Sequence, residues 1–150
     1  MNDLTRFETL AVQMAAVVPL IRDLQDILGE ETIAAALSER LQRQQANTPT
    51  GTNPDFSRMV EGTAYFAAGG ALEYEVIASD RQTFDMDVHD CRYADMMEQL
   101  GGRDLGHLLI CGNDFAAARK IGMTLDRSQT RMQGASHCDF RYRPIAASER

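Results

Sequence analysis

The sequence predicts an α+β fold in which N-terminal helices pack on an antiparallel sheet of about four strands, with helices inserted between strand pairs. Three observations predict it. The first 45 residues repeat apolar side chains at three- and four-residue steps, the period of a helix face. From Leu72 to Val76, and again from Phe84 to Val88, the period drops to two. Glycine-punctuated helical stretches then intervene before a last pair of strand-like segments.

In the first stretch Leu10, Met14, Val17, Val18, Ile21, Leu24 and Leu28 form one apolar face. Pro19 falls inside it and predicts a kink or break, because proline lacks the N–H that the helix ladder needs. Gly29 is placed to end this helix. A second helix carries Ile33, Leu37 and Leu41 on its stripe. Residues 46–55, "ANTPTGTNPD", hold two prolines, a glycine and several turn formers, and predict a loop. The whole of 1–150 is expected to be a single domain, with a helical front end at 1–46, a loop at 47–55 and a mixed region at 56–150. The front end alone has too few residues for a core of its own.

The stretch "FSRMVEGTAYFAAGGA" leaves helix and loop both open, with Gly69 and Gly70 marking a stop or turn. Two half-buried strands follow. Leu72, Tyr74 and Val76 alternate with Glu73 and Glu75; Phe84, Met86 and Val88 alternate with Asp85, Asp87 and His89. A turn at "SDRQ" makes them a hairpin. Asp90 is a candidate cap for the next helix, which Gly101 and Gly102 end. A short helix through Leu105, Leu108 and Leu109 stops near Gly112, and another starts at Asn113 or Asp114. Residues 124–143 predict two further strands with Gly134 at the turn.

The net charge of −7 argues against a nucleic-acid partner, since phosphate contacts need clustered cations and only one of the fifteen basic residues is a lysine, Lys120. No apolar run approaches the ~20 residues of a membrane span, so no membrane partner is expected. The segment "MNDLTRFETL" does not read as a secretory leader. A cytoplasmic protein is therefore expected, with Cys91, Cys111 and Cys138 as reduced thiols. The apolar face of the first helix offers a surface for a homo-oligomer.

Cys91 is expected at the N-terminus of a helix, where unpaired amides and the helix dipole favour a thiolate; the bland alternative is a packing residue at a strand–helix corner. In a regular last strand Cys138, Phe140 and Tyr142 share one face and His137, Asp139 and Arg141 the other. The trio His137, Cys138 and Asp139 can then meet in one pocket only if a bulge re-aims one of them. Zinc ligation by the three cysteines with His89, His137, Asp114 or Asp139 is a further option, although no CxxC or HxxxH spacing preorganises it. Otherwise no cofactor is expected.

Three segments in the C-terminal 60 residues carry a resemblance: Cys91, Tyr93 and Ala94 before a helix; Cys111 and Asp114; then Arg127 and Thr130 followed by Gly134, Cys138, Asp139 and Phe140. In order and spacing they resemble the 2-aminothiazoline-4-carboxylate hydrolase family. The resemblance implies a ring-opening hydrolase that converts a small cyclic amidine to its carbamoyl product, as 2-aminothiazoline-4-carboxylate is opened to N-carbamoyl-cysteine. An electrophilic amidine carbon calls for a nucleophile and a proton source. On this basis Cys91 or Cys138 is the expected nucleophile, with His137 or Asp139 as proton-transfer partner. Tyr93, Asp114, Arg127 and Thr130 are expected to bind substrate, Arg127 through the substrate carboxylate. A metal-assisted version would use zinc or manganese on Cys91, Cys111, Cys138 and Asp114. The rival expectation is a sensor or small-ligand-binding domain whose cysteines merely pack.

Overall fold

The computed structural model describes residues 3–149. The fold is α+β, as the periodicities predict, with five α-helices and a four-stranded antiparallel sheet ordered β1-β2-β4-β3. Helix α1 spans Arg6–Leu28, α2 Glu30–Asn47 and α3 Phe56–Ala67; strands β1 (Leu72–Ser79) and β2 (Phe84–Cys91) form the hairpin. Helix α4 (Arg92–Gln99) follows β2 directly, α5 spans Asn113–Lys120, and β3 (Met123–Asp126) and β4 (Cys138–Pro144) complete the sheet.

Helix α1 starts at a reciprocal cap: Thr5 Oγ1 accepts from the Glu8 amide, and Glu8 Oε2 accepts from the Thr5 amide. It runs unbroken through Pro19, so the expected break is absent. One lost ladder bond in a helix of 23 residues is outweighed by the burial of Leu10, Met14, Val18 and Ile21 along its face. Leu20, Ile27 and Leu28 of the same helix stay exposed. Helix α2 reaches Asn47 and takes in the first two residues of the expected loop. The open stretch after it resolves as α3, capped by Asp55, whose Oδ1 accepts from the Ser57 amide. The expected short helix before Gly112 is instead a 3-10 turn at Arg103–Leu105 and a π-helical turn at His107–Cys111.

Two apolar clusters form the core. One joins Leu10, Met14 and Val18 of α1 to Tyr93, Ala94, Met96 and Met97 of α4. The other joins Phe84, Met86 and Val88 of β2 to Met123, Cys138 and Tyr142 of the neighbouring strands and to Met59 of α3. Leu72 and Cys91, opposite each other in the hairpin register, pack against both clusters. The site lies at this seam.

Candidate active site

A cavity of about 830 Å³ opens between α1, α3, α5 and the inner face of the sheet. Leu10, Met14, Met59, Phe66, Leu72 and Val88 give it apolar walls, and Cys91, Cys111 and Cys138 all line it. Each thiol arrives by a different local device. Cys91 ends β2 and is the N-cap residue of α4, so the strand-to-helix corner turns it inward. Cys111 closes the π-helical turn, whose wide ring is seen in the Gly112 amide bonding to the His107 carbonyl (2.8 Å). Cys138 opens β4 and points to the same side as Phe140 and Tyr142, which line the cavity with it.

The polar heart of the cavity is Asp114 with Arg127. Asp114 is in the first turn of α5, and its Oδ2 accepts from Arg127 Nη1 at 2.7 Å. Arg127 Nη2 donates to the Cys111 carbonyl at 3.0 Å, and the guanidinium lies 5.1 and 4.9 Å from the ring centroids of Phe115 and Phe140. Only 5% of the Arg127 side chain is exposed. Burial pushes the Asp114 carboxyl upward, while Arg127 opposes the shift. The Asp114 surface that stays accessible, 32% of its side chain, belongs to a residue lining the cavity, so the group is reachable by a ligand though removed from bulk water.

All three thiols are held protonated by their surroundings. Burial pushes Cys91 up to about 11 and Cys111 up to about 12. At Cys91 the helix-terminal amides of Ala94 and Tyr93 act in the direction expected from sequence, but desolvation exceeds them, and so the expected thiolate is corrected. Nor is Asp90 the cap of α4: its Oδ1 accepts from the neighbouring Cys91 amide. Cys138 is raised by burial too, yet it receives a hydrogen bond from the Arg131 amide (3.2 Å), and the positive charges of Arg127 and Arg131 lower it.

His137 and Asp139 are not among the residues lining the cavity. Cys138 and Asp139 are split by the alternation of β4, with no bulge between β2 and β4 to re-aim them, and His137 precedes the strand in a bend. Asp139 instead organises the segment before it: Oδ1 accepts from the Ser128 and Gln129 amides, and Oδ2 from the Ser128 hydroxyl. His137 lies on the sheet's outer side, its Nε2 4.0 Å from Asp87 and its ring 6.0 Å from that of His89. Thr130 is buried in a turn, where its hydroxyl accepts from the Gln133 amide, and it does not line the cavity. Tyr93 does line it, and donates its hydroxyl to the Phe66 carbonyl at 2.7 Å. Among the described residues, no three Cys, His, Asp or Glu side chains are grouped closely enough to hold a metal ion. Among the described residues, no helix is long and apolar enough to cross a membrane.

Sequence reasoning missed the rim. Arg6, Arg58 and Lys120 also line the cavity, and among the described residues none of the three has an acidic partner within 4 Å. Their spacing along the chain gives no sign of convergence.

A family model described as L-2-amino-thiazoline-4-carboxylic acid hydrolase matches residues 9–142. The chain belongs to this family. The match takes in α1, α2 and α3 as well as the C-terminal 60 residues that carry the motifs, so the helical front end is part of the family pattern. No curated protein matches the chain. Among solved structures, the fold is similar to the crystal structure of the phenol-responsive sensory domain of the transcription activator PoxR with phenol. That likeness has a TM-score of 0.50 and 16% identity, and covers 87% of this chain and 74% of that one.

Proposed function

We propose that the protein is a ring-opening hydrolase of a small cyclic amidine or related heterocycle, with the opening of 2-aminothiazoline-4-carboxylate to N-carbamoyl-cysteine as the model reaction. One observation carries the reading: a reachable carboxylate, its arginine and three thiols line the walls of a single cavity. The family membership agrees with it.

Opening such a ring adds the oxygen of water to the amidine carbon and breaks the bond from that carbon to the ring sulfur. One water proton ends on the ring nitrogen and the other on the departing sulfur. A carboxyl with raised proton affinity suits both transfers, so Asp114 takes over the role that sequence alone gave to His137 or Asp139. Arg127 holds Asp114 in place.

Of the thiols, Cys138 is the one we assign as nucleophile, because Arg127 and Arg131 both favour its anion, against the burial and the Asp114 charge that keep it protonated at rest. Its sulfur would bond to the amidine carbon as the ring C–S bond breaks. Water would then displace Cys138 from that carbon and leave the carbamoyl product. Incubating the protein with 2-aminothiazoline-4-carboxylate tests the reading: mass spectrometry should show addition of one water, with a new free thiol. If Cys91→Ala and Cys138→Ala each retain full turnover, thiol catalysis is wrong; if Asp114→Asn does, so is the proton relay.

A second reading has its own support. The thiols are raised rather than lowered, and the similar PoxR domain is a sensory one. A ligand-binding domain without turnover would leave every substrate analogue unchanged while still binding it.

A further inference from the structure

A bare five-membered ring with one carboxylate is much smaller than the cavity. At about 30 Å³ per water, 830 Å³ holds roughly 25–30 waters, and cavities of about 300–1,000 Å³ are the size that encloses drug-sized ligands. Much of the wall is apolar, Leu10, Met14, Met59, Phe66, Leu72 and Val88 among it, and such side chains gain nothing from holding water.

Two features give the space a direction. Gly62 lies inside α3 and lines the cavity, and a Cβ added there would meet no atom within 4 Å. A helix-interior glycine costs about 1 kcal/mol relative to alanine, and its backbone angles do not require glycine, so what it leaves is room. The second feature is charge. In a protein of net charge −7, Arg6, Arg58, Lys120 and Arg127 line the cavity against one carboxylate, Asp114. Arg127 is spent on Asp114, which leaves the partly or fully exposed Arg6, Arg58 and Lys120 at the rim. Asp55 acts on Arg58 from outside the lining.

We propose that the cavity holds an amphipathic acid, with an apolar body that occupies the space beside Gly62 and a carboxylate or similar anion held at the rim by Arg6 or Arg58. This goes beyond ring opening: for a hydrolase it means that the ring carries an apolar substituent, and for a non-catalytic binder it names the ligand class.

Titration calorimetry of the full chain with straight-chain carboxylates, hexanoate to dodecanoate, tests it. Affinity should rise roughly fourfold per added methylene, the usual gain for burying one CH₂, until the cavity is full. Alkylamines of equal length should bind at least tenfold more weakly. Gly62→Phe should end the rise at a shorter chain, with Gly62→Leu as a milder version should the first fail to fold. Arg6→Ala with Arg58→Ala should abolish the preference for acids over amines. A flat chain-length series, amines binding as tightly as acids, or an unchanged length limit in both folded Gly62 variants would overturn the proposal. Because these are binding measurements, failure of ring opening leaves them untouched. Turnover of the bare heterocycle alongside a flat series would keep the hydrolase and sink the amphipathic ligand.

Discussion

Asp114 Oδ2 sits 2.7 Å from Arg127 Nη1, an ion pair between the first turn of α5 and the segment that leaves β3. The guanidinium is almost wholly buried between two phenylalanine rings and also ties down the Cys111 carbonyl, so it joins three parts of the cavity wall. Breaking a buried pair from one side strands the other charge. Arg127→Met should therefore lower stability by about 3–5 kcal/mol, read from the denaturant midpoint. The double variant Asp114→Asn with Arg127→Met should recover part of that loss, because no lone charge remains. Losses that simply add would show that the two side chains are not coupled.

The same pair sets a pH dependence. The folded Asp114 binds its proton more tightly than the unfolded chain, where a carboxyl titrates near about 3.9. Above that pH the unfolded state has lost a proton that the folded state keeps, so this group's contribution to stability declines as pH rises, until the folded carboxyl has ionised as well. Wild type should lose stability relative to Asp114→Asn across that window. A constant difference from pH 3 to pH 8 would show that Asp114 titrates alike in both states.

Thiol chemistry follows from the burial at the seam of the two core clusters. With Cys91 pushed up to about 11 and Cys111 up to about 12, little thiolate exists at neutral pH. Alkylation of both by iodoacetamide should be slow at pH 7 and should accelerate about tenfold per pH unit up to pH 10, as the thiolate fraction grows. Cys138 should react ahead of the other two where the reagent reaches it. Site-resolved mass spectrometry reads the three rates, and a pH-independent fast reaction at Cys91 would contradict the desolvation argument.

Much of this was legible in the sequence, and the reasons are local. Alternation fixes sides in β2 and β4: Met86 and Val88 inward and Asp85 and Asp87 outward could be read directly, and so could the opposite sides of Cys138 and Asp139. It failed in β1, an edge strand with two register shifts, where Tyr74 and Val76 are exposed and the expected half-burial is corrected. Cys91 was read correctly as a strand-to-helix corner. Its protonation state was not legible, because it is buried against two core clusters assembled from distant parts of the chain. Nor was the length of α1 through Pro19, which depends on the burial of its face and not on its own propensity. Asp114 and Arg127 were each singled out, but their pairing spans a strand and depends on how α5 packs beside β3. The rim cations left no trace at all, since Arg6 and Arg58 belong to separate helices and share no motif.

The two faces of β4 can be separated by experiment. Asp139 is raised by burial but lowered further by the Ser128 hydroxyl and the Ser128 and Gln129 amides, so the net shift is downward. Its stabilising contribution is therefore present above the unfolded value of about 3.9 and is lost as pH falls through the lower folded value. Asp139→Ala should cost about 1–2 kcal/mol at neutral pH, from hydrogen bonds lost at a partly exposed site, and the difference from wild type should shrink below about pH 4. Cys138→Ala removes a small side chain from the opposite face, where it lines the cavity. If ring opening uses that face, kcat should collapse in Cys138→Ala, while Asp139→Ala and His137→Ala keep it within about threefold. The reverse pattern, with turnover surviving loss of Cys138 and failing with His137, would move the chemistry to the outer face of the sheet. Stability and turnover measured on the same three variants decide between the faces.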